Sequence, residues 1–272
     1  MNKFRKIALL SLVLIVTLST VGCGLMEGQQ QDQNDGEKET IKIGYVQWSS
    51  AEASTHVVEN ILEDMGYNVE TPVLQTGAMY QSTATGEIDG FVCSWLPDTD
   101  KNYWEKFGDK LVELNNNYES AQIGIVVPEY VTIDSLAEMK DHKDKFQGRI
   151  VGIDPGAAEM IVVKDKTMPT YGLEDWKLTE SSGPAMTAEL GRAIKNEEWI
   201  AVTGWKPHWK WSKYDLKFLK DPELTMGDGE YIKSMGRPGI KEDLPEVASF
   251  LEKYKLTTEQ LGSVMLKIQN GM

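Results

Sequence analysis

The sequence predicts an α/β fold built as two lobes with a ligand cleft between them. Apolar, β-branched runs of strand length alternate with amphipathic segments from about residue 41 onwards. This alternation restarts near residue 129, and roughly 230 residues are enough for two separate cores. Three of the apolar runs also stop at an indole, at Trp48, Trp95 and Trp205.

The N-terminus predicts export from the cytoplasm. The basic start "MNKFRK" precedes the apolar run "IALLSLVLIVTLSTVG", which leads to Cys23 and is too short for a confident membrane span. We expect residues 1–23 to be a lipoprotein signal peptide, with lipid on Cys23 and the protein anchored to the outer face of the cell membrane. Thr20 departs from the usual leucine, which leaves an ordinary secretory signal as the alternative. The polar residues 24–40 predict a flexible tether.

The first α/β unit begins after this tether. Helical spacing of apolar residues, followed by Gly66, indicates that its first helix ends near that glycine. The order βαβαβ predicts a parallel sheet with helices on its faces. The predicted strands are "TIKIGYVQW", "NVETPVLQT", "DGFVCSW" and "AQIGIVVPEYV", and the predicted helices are "SAEASTHVVENILEDMGY", "GAMYQSTATGEI" and "KNYWEKFGDKL".

The second unit covers residues 129–217. Its predicted helices are "SLAEMKD", "AAEMIVVKDKTMPTYG" and "PAMTAELGRAIKNE", and its strands are "GRIVGIDPG", "WKLTESS" and "WIAVTGW". We expect "LKFLKDPE" to return to the first lobe, which then comprises residues 41–128 plus 218–272. Ligands of open α/β sheets bind at the carboxyl ends of strands. The three tryptophans are therefore predicted on facing walls of the cleft.

Several function classes are excluded by composition and motifs. The net charge of −14 argues against a nucleic acid or an acidic surface as partner. No nucleophile elbow, zinc-protease, P-loop or dinucleotide motif occurs, and the three histidines lack metal-ligand spacing. We expect no enzyme, no cofactor and no metal. Cys93 has no disulfide partner once Cys23 carries lipid, and is predicted to be a buried core residue.

An aromatic cage is the best-supported site. A quaternary ammonium cannot donate a hydrogen bond, so proteins recognise it through the negative faces of aromatic rings, each contributing about 0.5–2 kcal/mol. Three rings with further contacts are enough for micromolar affinity. The alternative is core packing, because tryptophan is a common core residue and the chain contains eight.

The segments around these tryptophans resemble a known family. "VGIDPGAAEM", "SSGPAMTAEL", "VTGWKPHW", "KYDLKFLKDP", "SWLPDT" and "GIVVP" are similar to blocks of the extracellular glycine betaine-binding lipoproteins of osmoprotectant ABC importers. The resemblance covers nearly all of residues 41–267. It implies a type II periplasmic-binding-protein fold that closes on its ligand, with an ABC permease and ATPase complex as partners and no catalysis.

The resemblance also implies a residue set. The family's aromatic prism falls on Trp48, Trp95 and Trp205. Its carboxylate clamp, made of two backbone amides after "GIDPG", falls on Ala158 and Glu159. Amides that open a helix suit an anion.

Two departures from the family pattern leave the identity of the ligand open. Asp100 stands where the family often has a carboxylate-binding histidine, and Glu159 stands where an apolar residue is common. Asp100 either turns to solvent, which favours glycine betaine or another betaine such as carnitine, or accepts a hydrogen bond from an alcohol such as choline. The sequence favours betaines. A sensing lipoprotein that uses the same cleft is the second hypothesis, and retained signalling without the permease would distinguish it.

Overall fold

Residues 39–271 are the part of the chain that the structure, a computed structural model, describes. The strands are β1 (Thr40–Lys42), β2 (Asn68–Glu70), β3 (Gly90–Leu96), β4 (Val112–Pro128), β5 (Arg149–Val151), β6 (Lys177–Thr179), β7 (Val202–Lys206), β8 (Leu216–Phe218) and β9 (Glu230–Gly236). The predicted lipid attachment at Cys23 lies outside the described residues.

The helices follow the predicted alternation closely. They are α1 (Ser49–Asp64), α2 (Thr76–Thr85), α3 (Lys101–Phe107), α4 (Ala158–Val162), α5 (Met168–Thr170), α6 (Gly183–Lys195), α7 (Lys210–Lys213), α8 (Ile240–Asp243), α9 (Pro245–Leu251) and α10 (Thr258–Gln269). A π-helical turn, Val163–Thr167, joins α4 to α5. Short 3₁₀ turns cover Gly108–Lys110 and Leu136–His142. No helix among residues 39–271 is long and apolar enough to cross a membrane.

The first half of the structure departs from the predicted all-parallel sheet. Strands β1 and β2 are parallel, and a parallel bridge from Ile43 to Gly90 connects them to β3. Strand β9, which the sequence did not predict, lies antiparallel between β3 and β4. The strands approach so closely that a side chain at Gly90 would place its Cβ 2.5 Å from the carbonyl oxygen of Met235. Glycine is therefore required at this position.

Strand β4 connects the two halves of the sheet. Its 17 residues pair antiparallel with β9 up to Ala121, and with β7 and then β8 from Gln122 onwards. The pairing with β9 is interrupted by three register shifts. Next to the last of these, Ser120 adopts a left-handed conformation with φ of 76°. The change of partner thus coincides with an irregular stretch of backbone.

The second half is closer to the prediction. Strand β5 is parallel to both β6 and β7, and only β4 and its pairings are antiparallel. After β8 the chain stays against this half: the Tyr171 hydroxyl donates to Asp221, and the hydroxyls of Thr167 and Thr225 lie 2.9 Å apart. The predicted lobe boundary between residues 217 and 218 stays a prediction. These contacts favour placing the end of the second lobe after Thr225 instead.

A separate apolar cluster joins the C-terminal helices to the first half. Val247 and Leu251 of α9 pack with Ile41, Val58 and other apolar side chains of the N-terminal elements. All of these side chains are buried. The apolar face predicted for the first helix is therefore partly buried, because it packs against a helix from the other end of the chain.

Candidate ligand-binding site

Three tryptophans from three different segments meet at one cavity. Trp48 is the N-cap residue of α1, and Trp95 and Trp205 are the penultimate residues of β3 and β7. Each is at most 6% exposed, and all three line the same cavity. All three rings also belong to the main apolar core cluster, so their role as a ligand cage stays a prediction beside the core-packing alternative.

The cavity is small and almost entirely enclosed by apolar groups. The Trp48 and Trp205 rings lie 6.2 Å apart between centroids, tilted by 54°. The cavity volume is about 10 Å³, room for about one water molecule, against about 520 Å³ for the groove beside Met160. The remaining lining residues are Thr99, Ile123, Ile153 and Glu159. A ligand larger than a water molecule therefore needs the rings to move apart before it can enter.

The indole nitrogens of the cage are unusual for buried donors. Within residues 39–271, the Nε1 atoms of Trp48, Trp95 and Trp205 are all buried without a hydrogen-bond partner. Buried donors are nearly always paired in folded proteins. These three N–H groups therefore remain available to a hydrogen-bond acceptor.

The segment that follows β7 packs against Trp205. The His208 ring packs edge-on against Trp205 at 4.9 Å, and its Nδ1 accepts a hydrogen bond from the backbone N–H of Lys210. Burial lowers the pKa of His208 well below its ordinary value, so the ring is neutral at pH 7. The Trp211 indole donates to the Trp205 carbonyl at 2.8 Å. His208 thus braces the cage and is not one of the cavity-lining residues.

Asp100 supports Trp95 and is not on the cavity wall. Its Oδ2 accepts from the Trp95 backbone N–H at 2.8 Å and from the Tyr80 hydroxyl at 3.2 Å. Its own backbone N–H donates to the Trp95 carbonyl at 2.8 Å. The side chain is fully buried, so the expectation that it turns to solvent is wrong. Asp100 fixes the turn after β3.

Asp100 should make the protein less stable as the pH rises. Burial raises its pKa from 3.8 to about 7, so between these values the folded protein holds a proton that the unfolded chain has released. Stability therefore falls from about pH 4 to about pH 7. We expect Asp100→Asn, which cannot titrate, to reduce this fall by up to a few kcal/mol, as measured by urea unfolding at pH 5 and pH 7.5. Exposed Asp109 provides the control variant Asp109→Asn, and an equal pH dependence in wild type and Asp100→Asn would contradict the assignment.

Glu230 holds the loop that carries Thr99. Its carboxylate accepts from the backbone N–H groups of Asp98 and Thr99, at 3.0 and 2.6 Å, and from the Thr99 hydroxyl at 2.5 Å. Glu230 is the first residue of β9, next to β4. The hydrogen bonds of this buried carboxylate thus connect the loop after Trp95, which lines the cavity, to β9 in the centre of the sheet.

The predicted carboxylate clamp lies at the start of α4. Ala158 and Glu159 are its first two residues, and the N-cap residue Ala157 provides no side-chain cap. The first amides of a helix have no partner within the helix, so they can donate to an anion. The Glu159 side chain lines the cavity, whereas Ala158 is buried and does not. The role of these two amides stays a prediction.

One hydrogen bond crosses from the first half of the structure to the second. The Tyr103 hydroxyl of α3 donates to the carbonyl of Gly156, two residues before α4, at 2.9 Å. Together with the contact between Trp48 and Trp205, it holds the cleft closed in this structure.

Some site residues were missed from the sequence. Thr99, Ile123 and Ile153 line the cavity, and Lys210 lies against Trp205. Lys210 resembles a surface lysine, because Lys206 and Lys213 lie in the same short segment, and no local signal indicates its burial. Within residues 39–271 no cluster of potential metal ligands occurs.

Comparison with known proteins identifies the family and the fold. A family model described as the substrate binding domain of an ABC-type glycine betaine transport system matches residues 39–272. Lactococcal OpuAC, solved in its closed-liganded conformation with glycine betaine, is 40% identical with a TM-score of 0.82, covering 86% of this chain and 91% of that chain. An ABC-transporter choline binding protein in complex with choline is 25% identical with a TM-score of 0.80, covering 85% and 83%.

A curated relative extends this result over part of the chain. The glycine betaine/carnitine transport binding protein GbuC of Listeria monocytogenes serotype 1/2a (strain 10403S) is 40% identical over 135 residues. The match spans 49% of this chain and 45% of that relative. The predicted two-lobe binding-protein fold is confirmed by these likenesses. The chain belongs to the family of substrate-binding domains of ABC-type glycine betaine transport systems.

Proposed function

We propose that the protein captures a quaternary ammonium compound, with glycine betaine as the first candidate, and delivers it to the permease and ATPase of an ABC importer. The observation that carries the proposal is the convergence of Trp48, Trp95 and Trp205 on one buried cavity. Such rings attract a cation that cannot donate hydrogen bonds. Binding changes no covalent bond, in keeping with a family of binding proteins.

Two features favour a betaine. A betaine carries a carboxylate, which needs donors when it leaves water. The amides of Ala158 and Glu159 at the uncapped start of α4 are suitable donors, and the unpaired indole N–H groups of the cage are others. The names of the relatives at 40% identity include glycine betaine in both cases.

One feature favours a quaternary ammonium alcohol such as choline instead. Glu159 is one of the residues that line the cavity, and its Oε1 is buried without a hydrogen-bond partner. A ligand hydroxyl could donate to this oxygen. Choline is therefore the second candidate ligand.

The proposed location follows from the family and from the N-terminus. Binding proteins of ABC importers act outside the cytoplasm, where they meet their ligand before the permease. The basic and apolar start of the chain supports export, and Cys23 is the proposed lipid attachment site. Anchoring would keep the receptor close to its permease, which raises their effective concentration.

Calorimetric titration tests the proposal. We expect glycine betaine to bind the purified protein with a Kd of about 1–100 µM, and choline and carnitine to bind at least about tenfold more weakly. No heat of binding with any of the three ligands at millimolar concentration would refute quaternary ammonium capture. Tighter binding of choline than of glycine betaine would replace the first candidate by the second.

A further inference from the structure

The hydrogen bond between Tyr103 and Gly156 lies outside the cavity but spans the cleft between its two walls. Tyr103 belongs to α3, which begins just after the loop that follows Trp95, and does not line the cavity. Its hydroxyl donates to the Gly156 carbonyl at 2.9 Å. Gly156 is two residues before α4, whose second residue, Glu159, lines the cavity. The bond therefore links the cavity wall of the first half to that of the second.

The network that supports Trp95 also holds Tyr103 in place. The Tyr103 ring stacks on that of Tyr80, with 5.7 Å between centroids and 28° between planes. The Tyr80 hydroxyl donates to Asp100, which accepts from the Trp95 backbone N–H. Gly77 of α2 packs so closely that a Cβ at that position would lie 3.1 Å from the Tyr103 ring. Packing within the first half thus fixes the Tyr103 hydroxyl relative to the cage.

Gly156 fits closely against the first half while the cleft is closed. A side chain at this position would place its Cβ 2.9 Å from Oε1 of Gln75, the N-cap residue of α2. Gln75 and Tyr103 both belong to the first half, whereas Gly156 precedes α4 in the second. Both contacts of Gly156 therefore cross the cleft and are lost when the halves separate.

A bound ligand cannot leave without breaking this hydrogen bond. The space among the three cage rings is about 10 Å³, and each ring is buried. Because Trp48 and Trp205 come from different halves and their centroids lie 6.2 Å apart, a larger ligand passes only after the halves move apart. That movement separates the Tyr103 hydroxyl from the Gly156 carbonyl.

We infer that Tyr103 is a positioning residue that determines how long the closed receptor retains its ligand. The hydroxyl stabilises the closed state from outside the cavity, so it lowers the rate of dissociation. Association is unaffected, because the bond forms only after the ligand has entered. A neutral hydrogen bond that water replaces in the open state changes such an equilibrium by about two- to tenfold. The inference rests on the proposed function and adds to it a residue that does not touch the ligand.

The test compares Tyr103→Phe with wild type, because this substitution removes the hydroxyl and keeps the stacked ring. Stopped-flow tryptophan fluorescence measures both rate constants, with whichever of glycine betaine and choline binds wild type more tightly. We expect koff to rise about fivefold and kon to stay within about twofold of wild type, so that Kd weakens about fivefold. The Tm without ligand should stay within about 2 °C of wild type, because the open state lacks the bond.

Tyr130→Phe is the matched control. The Tyr130 hydroxyl also donates to a backbone carbonyl, that of Glu198, at 2.6 Å, but both residues lie in the second half. Its koff should therefore stay within about twofold of wild type.

Two outcomes would overturn the inference while the proposed function stands. One is a koff for Tyr103→Phe within about twofold of wild type. The other is a ligand-free Tm lowered by more than about 4 °C, which would mean that the hydroxyl supports the fold and not the closed state alone. Absence of binding of both ligands to wild type would instead overturn the proposed function, and the inference with it.

Discussion

Trp205→Ala should abolish measurable binding of glycine betaine while the protein still unfolds cooperatively. Trp205 is the cage residue from the second half of the structure, and its ring lies 6.2 Å from that of Trp48. Its removal eliminates one π face and opens the cavity to water. Truncation of a central, buried aromatic contact weakens binding by about 3–5 kcal/mol, or at least about 100-fold. Calorimetric titration at millimolar ligand measures this loss.

The matched control for this experiment is Trp104→Ala. Trp104 lies in α3 and does not line the cavity. We expect its affinity for glycine betaine to stay within about threefold of wild type. An unchanged affinity in Trp205→Ala, with a folded protein, would remove the basis of the cage.

Glu230→Ala should lower both stability and affinity. Three hydrogen bonds from the loop at Asp98 and Thr99 end on this carboxylate, and Thr99 lines the cavity. The variant leaves buried backbone amides without an acceptor, which costs about 1–3 kcal/mol for each unsatisfied group. We expect a Tm lower by about 8 °C without ligand, and an affinity about tenfold weaker because the wall beside Trp95 loosens.

Glu113→Ala is the control for Glu230→Ala. Glu113 is an exposed carboxylate that pairs with Lys233, on the neighbouring strand β9. Exposed ion pairs contribute less than about 1 kcal/mol, so its Tm should fall by no more than about 3 °C. Equal Tm values for Glu230→Ala and wild type would show that the loop does not depend on the carboxylate.

The cage was predictable because its residues carry local signals. Trp48, Trp95 and Trp205 each follow an apolar run, and strand ends in α/β folds meet at one edge. The family resemblance then distinguished these three from the other tryptophans. Their mutual distances depend on how the two halves close, and no local pattern encodes that.

Strand β9 was missed for a physical reason. Its sequence "EYIKSMG" contains charged and small residues, although none of its residues is exposed in the fold. The segment "VELNNNYES" at the start of β4 is equally polar. The two segments form strands because each provides the backbone hydrogen-bond partners of the other. Pairing between segments more than 100 residues apart cannot be predicted from local propensity.

The charged residues were the least predictable part of the site. Asp100 does not turn to solvent: its buried side chain accepts from the Trp95 backbone N–H, and its role at the ligand stays a prediction. Lys210 is fully buried, with its Nζ 4.4 Å from the centroid of the Trp205 ring. A charge on a short polar segment is normally solvated, so only tertiary structure could identify these roles.

The irregular stretch of β4 limits how the cleft can open. Ser120, with its positive φ, stands where the strand leaves β9 and joins β7, and the chain passes back between the halves only once more, before Glu230. Rotation of one half against the other must therefore twist the backbone at these two passages. Because the ladder is already interrupted beside Ser120, we expect the backbone changes that accompany opening to concentrate there.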